Sequence, residues 1–127
     1  MRYLLDTHVV LWFFDDVVKL LETALRIILD PANEKYVSIA SAWEVAIKVG
    51  KGNLRFNGGV SRFFDVIYQN GFELLPITEA QVKWLETLPL IHRDPFDRLL
   101  VATAKVERMT ILTADENIHQ YDVSWSW

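Results

Sequence analysis

Four acidic residues stand at positions where a sheet of parallel strands would bring their side chains together. Asp6 ends a short apolar run near the start of the chain, and Asp115 follows another near its end. Glu44 lies in the first half of a predicted helix, and Asp97 lies in the first turn of another. In open parallel sheets, ligands bind beyond the carboxyl ends of the strands, where the following helices also begin. We therefore expect these four carboxylates to share one crevice.

Such a cluster of carboxylates predicts a metal site. Neighbouring carboxylates repel one another and raise each other's pKa unless a cation neutralises them. Mg²⁺ or Mn²⁺ prefers oxygen ligands, polarises a phosphoryl oxygen and activates the attacking water. We predict that Asp6, Glu44, Asp97 and Asp115 are both the metal ligands and the catalytic residues, with Mg²⁺ as cofactor and Mn²⁺ as a substitute. One ion and two ions are both compatible with four acids.

Each acid also has a purely structural explanation. Asp94 is followed by Pro95, which is typical of a helix that begins with an aspartate cap and a proline at its first position. We therefore assign capping to Asp94 and metal binding to Asp97, although the two acids compete for that role. The remaining acids could cap helices, begin turns or face solvent, and it is their joint spacing that favours a site.

Strands and helices alternate along the chain that must position these acids. Strands are predicted at residues 2–6, 35–38, 72–77, 110–113 and 123–127, and helices at residues 9–14, 17–29, 38–49, 58–68, 78–88 and 94–108. Thr7 is expected to cap the first helix. This alternation predicts an α/β sandwich with a mostly parallel sheet.

Composition limits the classes of protein to consider. The 127 residues are 51% hydrophobic and contain no cysteine, so we expect a single domain over residues 1–127 without thiolate chemistry or disulfides. No stretch approaches the ~20 apolar residues that span a membrane. We expect neither a transmembrane helix nor a signal peptide, and a cytoplasmic location. The net charge of −4 argues against a protein that coats nucleic acid by bulk electrostatics.

Several basic residues could still contact RNA phosphates locally. Residues 45–64 contain no acid and four cations, namely Lys48, Lys51, Arg55 and Arg62. This stretch is either a phosphate-binding patch or a solvated helix end. Arg93 and Arg98 flank Asp97 and would either pair with the acids or touch phosphate. The three histidines, His8, His92 and His119, lack zinc-ligand spacing, and we expect capping or core roles for them.

Four blocks of sequence together resemble the PIN domain of VapC-type toxins. They are LLDTH at residues 4–8, SIASAWEVAIK at 38–48, HRDPFDRLLVA at 92–102 and LTAD at 112–115, in family order over nearly the whole chain. The resemblance implies a three-layer α/β/α fold with strand order 3-2-1-4-5, a magnesium-dependent endoribonuclease activity and inhibition by a cognate antitoxin. By the motifs, the family's acids fall on Asp6, Glu44, Asp97 and Asp115.

The same resemblance implies partners. RNA would be the substrate, and a small, basic or DNA-binding antitoxin would cover the acidic pocket with a cationic side chain. Trp12, Phe13 and Phe14 cannot all face inward on one helix, so we expect one or two of them, with the apolar stretch 17–29, to form a groove for a partner helix. A homodimer is also expected.

Two other functions are open to this sequence. In a phosphatase or phosphotransfer domain, Asp6 would be the nucleophile or phosphoacceptor, but His8 stands where a haloacid-dehalogenase-type phosphatase needs its second acid. Alternatively, the chain is a catalytically inactive PIN-like module that binds another protein. A metal titration separates the inactive module from the nuclease.

Overall fold

The computed structural model describes residues 1–127 and is built around a five-stranded sheet. Its strands are β1 (Arg2–Leu5), β2 (Glu34–Ser38), β3 (Glu73–Leu75), β4 (Thr110–Leu112) and β5 (Trp125–Ser126). Every neighbouring pair is parallel, and the spatial order is β3-β2-β1-β4-β5. The predicted parallel sheet with order 3-2-1-4-5 is thus confirmed.

Helices cover both faces of this sheet and complete three layers. They are α1 (Thr7–Asp15), α2 (Glu22–Leu29), α3 (Ile39–Gly50), α4 (Gly59–Gln69), α5 (Glu79–Thr87), α6 (Pro95–Glu107) and the short α7 (Glu116–His119). Apolar residues of α1 to α4 form one buried cluster with the sheet, and those of α6 and α7 form a second with Leu88. Burial of these two clusters holds the helices against the strands.

Several predicted elements differ from the observed ones, including the last strand, which was predicted at 123–127 and is observed at Trp125–Ser126. The helix predicted at 17–29 is divided into a 3₁₀ turn, Val17–Lys19, and α2, because Leu20 and Leu21 between them are extended. Strand β3 is shorter than predicted, and it ends just before Pro76, whose nitrogen has no hydrogen for the ladder. Helix α7 was not predicted.

The carboxyl edge of the sheet is where three long helices begin. Helix α1 directly follows β1, and α3 directly follows β2 with Ser38 as its cap. The Ser38 hydroxyl accepts the backbone N–H of Ala40 at 3.0 Å. Helix α6 begins at Pro95 after the Asp94 cap. No helix in the structure has both the length and the apolar character needed to cross a membrane.

Candidate metal centre

Four carboxylates lie within electrostatic reach of one another at the carboxyl edge of the sheet. Asp6, Glu44 and Asp97 are only 2%, 1% and 4% exposed. Burial, together with the nearby charges of Asp6, Asp94, Glu44 and Asp115, raises the pKa of Asp97 to about 8. The charges of the other three residues that the sequence singled out therefore act on Asp97, as does that of Asp94.

Asp6 reaches this cluster from the end of β1. Its Oδ2 accepts the hydroxyl of Thr113 at 2.7 Å, while its Oδ1 is buried without a partner. Burial raises the pKa of Asp6, and Glu44 and Asp115 raise it further, against the opposing effects of Thr113 and His8. Asp6 occupies the cap position of α1, but its side chain makes no capping hydrogen bond.

The hydroxyl of Thr7 does not cap α1 either. Thr7 is the first residue of that helix, and its Oγ1 donates to the hydroxyl of Ser41 on α3 at 2.8 Å. The prediction of a Thr7 cap was wrong, because the side chain is used to join two helix starts beside the acids.

Glu44 reaches the cluster from the buried side of α3. Lys48, one turn later, donates its Nζ to Oε2 of Glu44 at 2.5 Å, and Oε1 is buried without a partner. Burial alone would lower the pKa of Lys48, but the bond with Glu44 and nearby carboxylates raise it. The solvent-facing alternative for Glu44 is therefore excluded.

The two acids of the HRDPFDR block have different surroundings. Asp94 accepts the backbone N–H groups of Phe96 at 2.8 Å and Asp97 at 3.4 Å through Oδ1, so it caps α6 as predicted. The Asp97 side chain instead lies inside the acidic cluster. The structure thus supports Asp97 over Asp94 as the candidate ligand.

Asp115 combines a capping role with a place in the cluster. Its Oδ1 accepts the amides of Asn117 at 2.8 Å and Ile118 at 3.3 Å at the start of α7. Its Oδ2 is 2.8 Å from Nε2 of His92. Burial alone would raise the pKa of Asp115, but the hydrogen bonds with His92 and the two amides outweigh it, so the pKa is lowered.

The expected core or capping role describes only one side of the His92 ring, whose Nδ1 accepts the backbone N–H of Asp94 before α6. Its Nε2 also lies 3.0 Å from Oδ2 of Asp97, and the nearest ligand atoms of His92, Asp97 and Asp115 are all within 4.8 Å of one another. Zinc-ligand spacing was the only criterion applied to the histidines in the sequence. The signal that could have found His92 is its position two residues before Asp94. His119, by contrast, stacks on Trp125 with ring centroids 3.5 Å apart.

The basic stretch 45–64 is not a continuous free patch. Lys48 is paired with Glu44, and Arg62 forms a two-pronged pair with Asp15 at 2.8 and 3.2 Å. Lys51 and Arg55 are exposed and form no ion pair. The first pair lies within α3 and the second joins α4 to α1, so two of the four cations of the stretch are left for phosphate.

Arg98 also has a structural role. Its guanidinium donates to the main-chain carbonyls of Leu85, Leu88 and Pro89 and to the hydroxyl of Tyr121. These bonds tie α6 to the segment after α5. Of the two arginines flanking Asp97, only Arg93 is exposed.

A shallow cavity adjoins the acids. It has a volume of about 190 Å³ and is lined by Asp6, His8, Trp12, Ala114 and Asp115. A larger cavity, of about 530 Å³, lies around Trp84, Lys105 and Arg108 and contains none of the clustered acids. The smaller cavity therefore reaches Asp6 and Asp115, and a separate cavity of about 40 Å³ reaches Glu44 and Lys48.

The donor atoms of this cluster fit a hard divalent cation. All four predicted ligands offer carboxylate oxygens, which are the ligands that Mg²⁺ and Mn²⁺ prefer. The buried oxygens Asp6 Oδ1 and Glu44 Oε1 have no hydrogen-bond partner. Buried polar atoms are nearly always satisfied in proteins, so two such oxygens beside a third buried acid fit a site that binds a cation.

The three-layer fold, with acids at the carboxyl edge of a 3-2-1-4-5 parallel sheet, defines the class of the protein as an open-sheet α/β domain. The model of the PIN domain matches residues 3–124, and the chain belongs to this family, whose members are generally nuclease-type hydrolases. Sequence comparison with curated proteins finds no match.

Three solved structures show the same fold. VapBC2 from Rickettsia felis bound to a promoter DNA fragment has a TM-score of 0.74 at 15% identity, covering 99% of this chain and 98% of that chain. FitAcB from Neisseria gonorrhoeae has a TM-score of 0.63 at 20% identity, covering 97% and 95%. VapBC-1 from nontypeable Haemophilus influenzae has a TM-score of 0.62 at 19% identity, covering 99% and 97%. At these identities the likeness is one of fold.

Proposed function

We propose that this chain is a magnesium-dependent endoribonuclease that acts as the toxin of a toxin–antitoxin pair. The observation that carries the proposal is the pair of buried, partnerless oxygens, Asp6 Oδ1 and Glu44 Oε1, beside the buried carboxyl of Asp97. Membership of the PIN domain family and structural likeness to toxin–antitoxin complexes support it.

The four carboxylates would hold the metal, with Mn²⁺ able to replace Mg²⁺. When bound, the ion supplies a polarised phosphoryl oxygen and a water of lowered pKa for hydrolysis of the phosphodiester. The chain itself fixes the ligands. Thr113 holds one oxygen of Asp6 and Lys48 holds one oxygen of Glu44, so the free oxygen of each carboxylate has a defined direction.

RNA would enter from the exposed side of this centre. Arg93 is exposed directly before the Asp94 cap, and His8 is exposed beside Asp6 on the wall of the adjoining cavity. A guanidinium and an imidazole at the rim can contact the phosphate and sugar of an RNA strand. RNA rather than DNA is inferred from the resemblance to VapC-type toxins.

An exposed apolar surface supports the proposal of an antitoxin partner. Trp12, Phe13 and Phe14 are all half-buried against the core, so they are less available than expected. Within the stretch 17–29, the exposed apolar residues are Val17 and Val18 on the 3₁₀ turn, Leu21 at the cap of α2 and Leu29 at its end. A partner helix could cover this surface while a basic side chain enters the acidic pocket. We propose that the pair acts in the cytoplasm and that this chain forms a homodimer within the complex.

The phosphotransfer alternative fits the geometry poorly. A nucleophilic or phosphate-accepting Asp6 would need an accessible oxygen, but its side chain is buried and its Oδ2 is held by Thr113. The inactive-module alternative leaves the two partnerless buried oxygens without an explanation.

The proposal is tested with the purified chain and total cellular RNA, with Mg²⁺ and with a chelator. We expect cleavage only with Mg²⁺ or Mn²⁺, and its loss in Asp6→Asn. Asp65→Asn, which removes an exposed acid on α4, is the matched control and should cut at the wild-type rate. Equal cutting by Asp6→Asn, or hydrolysis of a phosphate monoester instead of RNA, would reject the nuclease assignment.

Growth of bacteria that express the chain tests the toxin role separately. Expression of the wild-type chain should slow growth, and Asp6→Asn should relieve this effect while Asp65→Asn should not. A wild-type chain that cuts RNA in vitro but is harmless at high expression would remove the toxin role and leave the nuclease.

A further inference from the structure

His92 is held by contacts on three sides at the rim of the acidic cluster. Its main-chain N–H donates to the hydroxyl of Tyr121 at 2.9 Å. Its ring Nδ1 is 3.1 Å from the backbone nitrogen of Asp94, and its Nε2 is 2.8 Å from Asp115 Oδ2 and 3.0 Å from Asp97 Oδ2. The side chain is 13% exposed. The ring therefore has a fixed position and a fixed orientation.

These contacts also define which ring nitrogen carries the hydrogen. A backbone N–H can only donate, so Nδ1 of His92 must accept from Asp94 and cannot carry a hydrogen itself. The hydrogen of the imidazole is then on Nε2, which faces only the carboxylate oxygens of Asp97 and Asp115. A nitrogen that carries a hydrogen has no lone pair for a metal. His92 is thus built as a donor to the acids.

The same arrangement recurs at the other acids of the centre. Thr113 donates to one oxygen of Asp6, and Lys48 donates to one oxygen of Glu44, while the second oxygen of each is free. His92 Nε2 is the corresponding donor to Asp115 Oδ2 and lies 3.0 Å from Asp97 Oδ2, while the second oxygen of Asp115 accepts the amides of α7. Donors that hold carboxylate ligands in this way raise metal affinity because they fix the ligand direction before the ion binds.

We propose that His92 is a positioning residue that orients Asp97 and Asp115 toward a divalent cation without coordinating it. The backbone amide of Asp94 sets the ring tautomer that this role requires. The inference rests on the proposed function in so far as both need a metal at the acidic cluster. It adds a role for Asp94, whose side chain caps α6 while its main chain holds His92.

Three variants separate this role from a merely structural one, with Mn²⁺ as the probe and the full chain as the protein. In His92→Ala the donor is lost, and the Mn²⁺ affinity measured by electron paramagnetic resonance titration should fall roughly 10- to 100-fold. In His92→Gln the side-chain amide reaches as far as Nε2, so the donor to the carboxylates is restored. We expect most of the affinity to return.

His92→Asn is the matched control. Its shorter amide lies at the level of Nδ1, so it can accept the Asp94 N–H but cannot reach the carboxylates. It should bind Mn²⁺ as weakly as His92→Ala. If Asn restores the affinity and Gln does not, the residue only maintains the loop before α6, and the proposal is overturned. The comparison of Gln with Asn remains decisive if His92→Ala fails to fold.

A spectroscopic readout distinguishes orientation from coordination. Pulsed electron paramagnetic resonance of the Mn²⁺-bound wild-type chain should show no nitrogen coupling of the size given by a directly bound imidazole. Such a coupling, lost in His92→Gln, would make His92 a ligand and overturn the proposal. If the wild-type chain binds Mn²⁺ with the expected variant pattern but does not cut RNA, the nuclease fails and the role of His92 stands. Wild-type cutting with unchanged Mn²⁺ affinity in all three variants overturns the role of His92 alone.

Discussion

The hydroxyl of Thr113 donates a 2.7 Å hydrogen bond to Oδ2 of Asp6, although the two residues are 107 positions apart in the chain. The pairing of β1 with β4 places Leu5 opposite Leu112, so the residues that follow the two strands lie side by side. Both side chains are buried. The register of the sheet therefore determines which oxygen of Asp6 is held and which is left free.

Replacing Thr113 with valine should destabilise the metal-free protein. Valine has a similar shape but no hydroxyl, so Oδ2 of Asp6 would be buried without its donor, and the backbone N–H of Asp115 would lose its 3.0 Å acceptor. Loss of a partner from a buried polar group costs about 1–3 kcal/mol. We expect Thr113→Val to lower the free energy of unfolding in urea by this amount. Thr113→Ser keeps the hydroxyl and should remain close to wild type, and equal losses in both variants would contradict the explanation.

The stability of the metal-free protein should fall as the pH rises from about 4 to about 8. The pKa of Asp97 is raised from 3.8 to about 8 in the folded state, mainly by burial. A raised pKa means that the folded state holds this proton longer than the unfolded chain does. The stabilising contribution is complete below the ordinary pKa and is lost as the pH rises through the folded one.

Asp97→Asn should remove most of this pH dependence. The amide cannot ionise, so at about pH 7 the variant is expected to be more stable than the wild type by roughly 2–4 kcal/mol without metal. Asp65→Asn, at an exposed position, should keep the wild-type slope. Urea denaturation across this pH range measures both. If the free energy of unfolding of the wild-type protein does not change across this pH range, Asp97 is ionised in the folded state and the explanation is wrong.

Metal binding should be stronger at higher pH for the same reason. The Asp97 carboxyl must lose its proton before it can coordinate a cation, so the apparent affinity should rise by about tenfold per pH unit up to about 8 and then level off. Titration calorimetry in two buffers of different ionisation enthalpy should detect about one proton released per Mg²⁺ at neutral pH. No proton release, in a protein whose stability falls with pH as expected for Asp97, would mean that Asp97 does not bind the ion.

How far the sequence predicts this centre depends on how many residues separate the two members of each hydrogen bond or ion pair along the chain. The Asp94-Pro95 pair predicted the α6 cap because both groups belong to one turn. The Glu44–Lys48 pair also lies within one helical turn and could have been predicted from its spacing, but Lys48 was interpreted as part of a phosphate patch. Rules about residues within one helical turn predicted the α6 cap, and they would also have predicted the Glu44–Lys48 pair.

Other contacts could not be predicted from local rules. His92 meets Asp115 across 23 residues, and the contact depends on how the segment before α6 packs against the turn after β4. The Arg62 to Asp15 pair spans 47 residues and joins α4 to α1. The strand order that creates both contacts was inferred from the resemblance to a family, not from the periodicity of the sequence, which indicated only a mostly parallel sheet.

Lys48 should act as a substitute for the metal when the metal is absent. Its Nζ is 2.5 Å from Oε2 of a Glu44 side chain that is 1% exposed, while Lys48 itself is partly solvent-accessible. Lys48→Met keeps the apolar stem but leaves the Glu44 charge buried and unpaired. Breaking a buried ion pair in this way costs about 3–5 kcal/mol, and water that reaches the partly exposed Lys48 position lowers this cost. We expect a clear loss of thermal stability without metal.

Saturating Mg²⁺ should restore much of that loss, because a cation among the acids replaces the missing ammonium charge. The rise in the unfolding temperature on adding Mg²⁺ should therefore be larger in Lys48→Met than in the wild type. Lys51→Met, which removes an exposed lysine beyond the end of the same helix, should show the wild-type rise. If Mg²⁺ stabilises all three proteins equally, Lys48 and the metal do not neutralise the same carboxylate, and Glu44 lies outside the metal's reach.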